Sequence, residues 1–275
     1  MFSDRTLAQR LEMAEATSNA VLVEAKRSVF PQCDAEWFKV GGAWIIYDGP
    51  TSPLNQTFGL GLFDPVGNTE VDFIEDFFSA RHAAISHEIS PLSDIALLRL
   101  LCDRGYLPIE FTNVMYQPIG SGFQFEAAPD TRVSVRQAQA NEKRLWSETA
   151  AKGWSEIGDF ADSIREMGEV SVKSPTAPIF LAELEGEPIA AGSLNIINGV
   201  AVLSGASTVP NRRRMGGQMA LLKARLNYAV SHGCELAMIC APPDSSSQRN
   251  AERSGFRIAY TRTKWYLGRN PNDVA

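Results

Sequence analysis

Metal-binding and disulfide-forming residues are scarce in this chain. Its three histidines, His82, His87 and His232, stand far apart, and its four cysteines, Cys33, Cys102, Cys234 and Cys240, lack the paired spacing of zinc or redox motifs. No metal is expected, and the cysteines read as free thiols of a reducing cytoplasm. No apolar run approaches the ~20 residues that cross a bilayer. Met1-Phe2-Ser3-Asp4-Arg5 has no basic region followed by an apolar core, so no secretory leader is expected either. Two phosphate-binding signatures are also missing: the dinucleotide-fold glycine spacing and the P-loop ending Gly-Lys-Ser/Thr. Basic charge is not in excess, the net charge being −6. Residues 1–120 hold 8 Lys+Arg against 16 Asp+Glu, a balance of −8, and residues 121–275 hold 18 against 16, a balance of +2. An acidic first half argues against nucleic-acid binding there. What remains, at 44% hydrophobic and 21% charged over 275 residues, is a globular chain with enough core for one large or two moderate domains.

The most informative stretch is Thr208-Val209-Pro210-Asn211-Arg212-Arg213-Arg214-Met215-Gly216-Gly217-Gln218-Met219. The apolar run Val200–Ala206 before it reads as a strand. After it, Leu222, Leu226, Ala229 and Val230 mark one face of a helix from Met219 to Ser231. A strand feeding a helix through a tight basic, glycine-rich turn leaves the first helical N–H groups unpaired. With the helix dipole, the bare backbone of Gly216 and Gly217, and Arg213 and Arg214, the turn suits an anionic phosphate ester. A charge run alone is more often a solvated face. Its place between strand and helix favours the phosphate.

Arg213-x-x-Gly216-x-Gln218 resembles the pyrophosphate-binding signature of the GNAT superfamily of N-acetyltransferases, Gln/Arg-x-x-Gly-x-Gly/Ala. Gln218 departs from it, and its side chain must point away from the phosphates. Ser247–Phe256 resembles the later CoA-side helix with its Gly-Phe ending, so the resemblance covers roughly the last half of the chain. It implies a mixed α/β sheet with helices on both faces and acetyl-CoA as co-substrate. The implied cofactor contacts are Thr208, Val209, Arg213, Arg214, Met215, Gly216, Gly217, Gln218 and Met219, with Arg249 and Asn250 on the later helix.

In chain order, Leu7, Leu11, Ala14, Val21, Leu22 and Ala25 predict a helix over 4–30. Trp37–Val40, Gly41-Gly42 and Ala43–Tyr47 predict a hairpin, with a further strand inside 55–63. Asn68-Thr69 is expected to cap a helix to about Ala80 with Phe73, Ile74, Phe77 and Phe78 on its core face. Ala83–Ile89 reads as a strand, and Ser93-Asp94 caps a helix that Gly105 ends. The segment then recurs. Asp94, Gly105-Tyr106 and Tyr116 stand opposite Asp244, Gly255-Phe256 and Tyr266 at one offset of 150. The chain therefore reads as two related halves, 1–120 and 121–275. At that offset Arg213 and Gly216 fall on Phe63 and Val66, so the first half has no phosphate turn and reads as a degenerate copy.

Gly120–Gly122 and Ala127–Asp130 predict a linker. The second half is then expected to run strand Val133–Arg136, helices Ala140–Ala151 and Ile157–Met167, and hairpin strands Ile179–Leu184 and Ile189–Ile196. Asn198-Gly199 turns into Val200–Val209, followed by a strand at Leu236–Cys240, a helix at Gln248–Arg253 and a last strand at Thr261–Leu267. Only about one strand follows each Gly-aromatic ending, where the family commonly has a pair. The halves are therefore expected to complete each other's sheets edge to edge.

In this fold a thioester sits in a gap between two splayed strands. The resemblance places that splay after Ala206-Ser207-Thr208, where freed backbone N–H groups near Ser207 polarise the thioester carbonyl. Where family members often carry a Tyr that protonates the departing thiolate, this chain has Ala251. Either water serves, which a thiol pKa of about 8.5 permits, or Tyr260 substitutes; a core tyrosine is the blander reading. Glu183 and Glu187 are candidate bases that read equally well as surface charges. Ser52, Asn55 and Gln56 are a candidate substrate wall that turn chemistry also explains, and Cys234 reads as a buried thiol rather than a nucleophile. The expected activity is acetyl transfer from acetyl-CoA to a small-molecule or peptide amine by direct attack in a ternary complex. The alternative is a non-catalytic acyl-CoA sensor. No nucleic acid or membrane partner is expected, and monomer and homodimer both stay open.

Overall fold

A computed structural model describes residues 2–125, 132–155, 170 and 177–268. The expected helix at Ile157–Met167, the linker residues Ala127–Asp130 and Pro175 lie outside the described residues. The chain divides into two units, the first made of Met1–Met115, Cys240–Ser245 and Ile258–Ala275, the second of Tyr116–Ile239 and Ser246–Arg257.

The first unit opens on helix α1 (Arg5–Val29), capped by Asp4, whose carboxylate accepts from the Leu7 N–H at 2.8 Å. The hairpin β1 (Glu36–Val40) and β2 (Ala43–Tyr47) turns at Gly41 and Gly42, both at positive φ. Strand β3 (Gln56–Phe58) pairs with β2 antiparallel and with β4 (Ile85–Ile89) in parallel. Helix α2 (Asn68–Ser79) connects them. Its N-terminus is one residue earlier than expected: Gly67 is the cap, and its N–H donates to Glu70 Oε2 at 2.8 Å. Phe73 is also not core, being 54% exposed, and Val71 takes its place beside Ile74 and Phe78. Helix α3 (Ile95–Asp103) starts at the Asp94 cap and leads into β5 (Leu107–Pro118).

One face of this sheet carries Ile45, Tyr47, Ile85 and Ile89 against Ile74, Phe78, Leu97 and Leu101. The other carries Trp44, Ile46 and Phe58 against Ala16, Ala20 and Val23 of α1. The last strand, β11 (Arg257–Leu267), belongs from Ile258 onward to this first unit, where it pairs antiparallel with β4. Strand order in the unit is β1-β2-β3-β4-β11-β5.

Strand β11 is held there by buried charge. The Arg262 guanidinium meets both oxygens of Glu15 at 2.5 and 2.9 Å and Glu88 at 2.9 Å, and Tyr260 donates to Glu12 at 2.8 Å. Burial pushes the Glu12 carboxyl up to about 7, against the pull of Arg262. Burial also acts upward on Glu15, but Arg262 outweighs it and holds that carboxyl below its ordinary value. The folded state thus keeps a proton on Glu12 that the unfolded chain releases near 4.5. Its contribution to stability is present in acid and is lost as pH rises through about 7. Glu12→Gln, a neutral isostere, is expected to flatten the fall in melting temperature between about pH 5 and pH 8. An unchanged slope in that variant would assign the pH dependence elsewhere.

The second unit begins its sheet with β6 (Val133–Gln137), then a short 3-10 turn and helix α4 (Lys143–Trp154). Strands β7 (Ile179–Leu184), β8 (Glu187–Ile197) and β9 (Val200–Thr208) form a meander. Its turns are Glu185-Gly186 and Asn198-Gly199, all four residues at positive φ as a two-residue hairpin requires. Helix α5 (Gly217–Ser231), β10 (Leu236–Ala241) and helix α6 (Ser246–Arg253) follow. The order β10-β9-β8-β7-β6 is antiparallel except between β9 and β10, which run parallel.

The repeat seen in the sequence recurs in hydrogen bonding. Gly105 and Gly255 both sit at positive φ after a helix. The N–H of Tyr106 returns to Leu101 O and that of Phe256 to Ala251 O, each at 3.0 Å. Both helix ends are thereby closed by the same left-handed glycine cap. Among the described residues no helix is long and apolar enough to cross a membrane.

Candidate cofactor and acyl-transfer site

Strands β9 and β10 pair at Val200↔Leu236, Ala201↔Ala237 and Val202↔Met238, and there the ladder stops while β9 runs on to Thr208. The strands therefore part earlier than the expected Ala206–Thr208. The cause lies on the other side of β9. Ser193 pairs with Ser204 but Ala191 with Ser207, so β9 carries one extra residue opposite Gly192. Gly205 in that bulge has φ +61°. A bulge bends its strand and sharpens the local twist, turning β9 away from β10.

Beyond the bulge the direction of each backbone group follows from one bond. The Val209 N–H donates to Ile189 O at 3.0 Å, toward β8. Successive residues of a strand point to opposite sides, so Ser207 also faces β8, and the N–H of Thr208 faces the opening. The main-chain donor on the open side is that of Thr208 rather than Ser207. The Ser207 side chain is buried and donates to Ala150 O of α4 at 3.0 Å. A Cβ on Gly153 of α4 would meet Ser207 Oγ at 2.4 Å, so only glycine lets the helix lie this close.

At the end of β9, Pro210–Arg212 form a 3-10 turn, Arg214 takes φ +63°, and Gly216, at φ +82°, is the cap of α5. The first backbone bond of the helix runs from Ala220 N–H to Gly216 O at 3.0 Å, so the N–H groups of Gly217, Gln218 and Met219 are its orphan donors. Gly217 packs onto the sheet, where a Cβ would approach Ala190 and Ile189 to 3.3 Å. The Gln218 side chain turns back to donate to Thr208 Oγ1 at 2.8 Å. Arg212 is paired with Glu187. Arg213 and Arg214 are exposed, and among the described residues Arg214 makes no ion pair. The result is an N-terminal helix turn with open amides and exposed guanidinium groups beside a parted strand pair, a geometry for a phosphorylated ligand with an extended tail.

Residues 141–256, which contain this turn, match the profile described as the Acetyltransferase (GNAT) family. They are a GNAT acetyltransferase domain. The chain resembles a GCN5-related N-acetyltransferase from Kribbella flavida over 97% of its own length and 98% of that chain, with TM-score 0.66 and 18% identity. It resembles a tandem GNAT protein from the clavulanic acid biosynthesis pathway over 98% of both chains, with TM-score 0.58 and 12% identity. A GCN5-related N-acetyltransferase from Sphaerobacter thermophilus matches over 77% of this chain and 71% of that one, with TM-score 0.59 and 17% identity. At such identities the likeness is one of fold. No curated protein is detectably similar in sequence.

Within the GNAT domain, α6 reaches the start of α5: Ser254 Oγ, which also donates to Asn250 O, lies 3.8 Å from Met219 Sδ. The structure thus brings Asn250, Met219 and the Gly216 turn together, with Arg249 exposed on the same helix. Met215, within the turn, is half-buried. Glu183 is held by Arg136 at 2.8 Å, and Glu187 by Arg212, so both candidate bases are committed to ion pairs. Cys234 is buried, and burial raises its thiol pKa, consistent with a packing role. Three candidates belong to the first unit instead. Tyr260 is the buried partner of Glu12 described above, its pKa pushed well up by burial. Asn55 and Ser52 bind Asp48 and Gly49 in a turn.

Two residues of the GNAT domain escaped the sequence reading. Trp146 of α4 donates from Nε1 to Phe180 O at 3.1 Å and Gly192 O at 3.3 Å. Arg225 of α5, only 3% exposed, donates to Leu221 O, Ser193 O and Ser204 O at 3.0 to 3.3 Å. The available signals were Gly192 and Gly205, glycines inside strands, which mark a bulge or a close approach.

Proposed function

We propose that the second half, 121–275, transfers an acetyl group from acetyl-CoA to the primary amine of a small molecule or peptide, by direct attack in a ternary complex. The observation that carries this reading is the open N-terminal turn of α5 beside a β9 strand that has left its partner. In this reading the N–H groups of Gly217, Gln218 and Met219 take the pyrophosphate oxygens, and Arg213 and Arg214 supply the charge. Thr208, Val209 and Met215 line the approach, and Arg249 and Asn250 the nucleotide side. Acetyl-CoA brings an activated acyl carbon on a thiol leaving group. The Thr208 N–H, aimed at the opening, stabilises negative charge on the carbonyl oxygen as the C–N bond forms and the C–S bond breaks. Water takes the proton that the amine loses and returns one to the thiolate, since Glu183 and Glu187 are held in ion pairs and the Tyr260 hydroxyl is already donated to Glu12.

The first half is proposed to bind no cofactor. Its counterpart of the phosphate turn presents carbonyls, not amides: Leu62 O accepts from Arg5 at 2.8 Å and Gln9 at 3.0 Å. Glycines at positive φ are present at Gly59 and Gly61, but Asp64 stands beside them. The protein is read as cytoplasmic, with no nucleic acid or membrane partner.

Calorimetric titration with acetyl-CoA, followed by CoA release with a panel of amines, tests the proposal. One equivalent should bind per chain, and at least one amine should be turned over. Tight binding without turnover on any amine would favour a sensor of acyl-CoA. Arg213→Ala is expected to weaken CoA by roughly 10- to 100-fold through loss of a charge-assisted phosphate contact. An unchanged Kd would remove Arg213 from the site.

A further inference from the structure

A charge buried without a countercharge is expensive, and a chain keeps one only where its hydrogen bonds are needed. Among the described residues Arg225 is such a charge. Its three acceptors are all main-chain carbonyls, and two of them, Ser193 O and Ser204 O, belong to the pair that flanks the bulge on β8 and β9. From the opposite helix Trp146 takes Gly192 O, the residue the bulge skips. Gly192 has no room for a Cβ without moving the guanidinium, its nearest atoms being Arg225 Cζ and Nη1 at 3.3 Å. The ladder is locally disrupted at a bulge, and its carbonyls must find other donors or stay unsatisfied in the interior. A methionine or leucine at 225, the expected residue on the buried face of α5, would offer none. A lysine would keep the charge but not the planar fork that spans two strands.

We propose that Arg225 is a positioning residue for acyl transfer: its guanidinium fixes the β8–β9 bulge and so aims the Thr208 N–H into the opening between β9 and β10. This deepens the reading of the second half as an acyl-CoA site and rests on it. The same helix that presents its N-terminal amides to the phosphates then sets, two turns later, the orientation of the strand beside the thioester. Burial lowers the Arg225 pKa to about 10, which leaves it protonated at neutral pH.

The test separates the two ends of the site. Wild type, Arg225→Met and Arg225→Lys are titrated with CoA, and the carbonyl stretch of acetyl-CoA labelled with carbon-13 at the thioester is recorded bound and free. Wild type is expected to lower that frequency on binding. In Arg225→Met most of the shift should vanish while the Kd for CoA stays within about threefold, and Arg225→Lys should be intermediate. With an accepted amine, kcat in Arg225→Met should fall by roughly 100-fold at unchanged KM for acetyl-CoA. A wild-type carbonyl shift in Arg225→Met overturns the proposal. If that variant does not fold, a wild-type shift in Arg225→Lys overturns it equally. Failure of wild type to bind CoA would instead remove the acyl-CoA reading beneath it.

Discussion

Arg262→Met is expected to lower the unfolding free energy by about 3–5 kcal/mol, because it strands buried carboxylates rather than deleting an isolated contact. Arg262 is 3% exposed and stands among Glu12, Glu15 and Glu88, all in the first unit. Methionine fills much of the volume but supplies no donor, so Glu15 and Glu88 would lose their buried guanidinium partner, with Lys264 at 3.4 Å left to Glu88 and Tyr260 left to Glu12. Urea denaturation reads the effect directly. Combining Arg262→Met with Glu12→Gln and Glu88→Gln should recover part of the loss, since the penalty lies in the unpaired charge and the substitutions share one network. A loss of under about 1 kcal/mol for Arg262→Met would place the pair among exposed ion pairs of small value. Its burial makes that the less expected outcome.

Gly216→Val is expected to raise the Kd for CoA by roughly 100-fold or more. At φ +82° the backbone of residue 216 is in the left-handed region, where a β-branched side chain is strained. Valine would pull the residue toward an ordinary conformation, rotating the N–H groups of Gly217, Gln218 and Met219 off a common focus. Calorimetry measures the binding, and a thermal melt shows whether the second unit stays folded. A Kd within about threefold of wild type in a folded variant would mean that the nucleotide is not held by this turn.

The turn was legible in the sequence because its chemistry is local. A positive-φ residue at a helix start demands glycine, and the strand and helix on either side declare themselves by apolar period. Hairpins at Glu185-Gly186 and Asn198-Gly199 were legible for the same reason. Features that join distant stretches were not. Arg225 lies at a position of α5 whose spacing reads as core, and nothing in a single strand says that two others need its donors. The bulge itself left only Gly192 and Gly205 as a trace, and the parting of β9 from β10 was accordingly placed too late. Tyr260 was a candidate acid on its residue type alone. Its partner Glu12 is separated from it by most of the chain, and their pairing follows from where β11 lies. Phe73 shows the converse limit: its helical spacing is that of a core residue, but it sits at the edge of the sheet against Phe38, the rings 5.8 Å apart, and stays largely exposed.

Where β11 lies has a consequence for biosynthesis. The strand that flanks β4 is translated only after residues 116–257 have left the ribosome's active centre. Until then the nascent first unit carries β4 as an open edge, a template for pairing with other chains. Vectorial folding, first unit then second, is closed to this protein at that step. Its slowest assembly event should be the late docking of a distant segment, and that event is the one a chaperone would have to wait for.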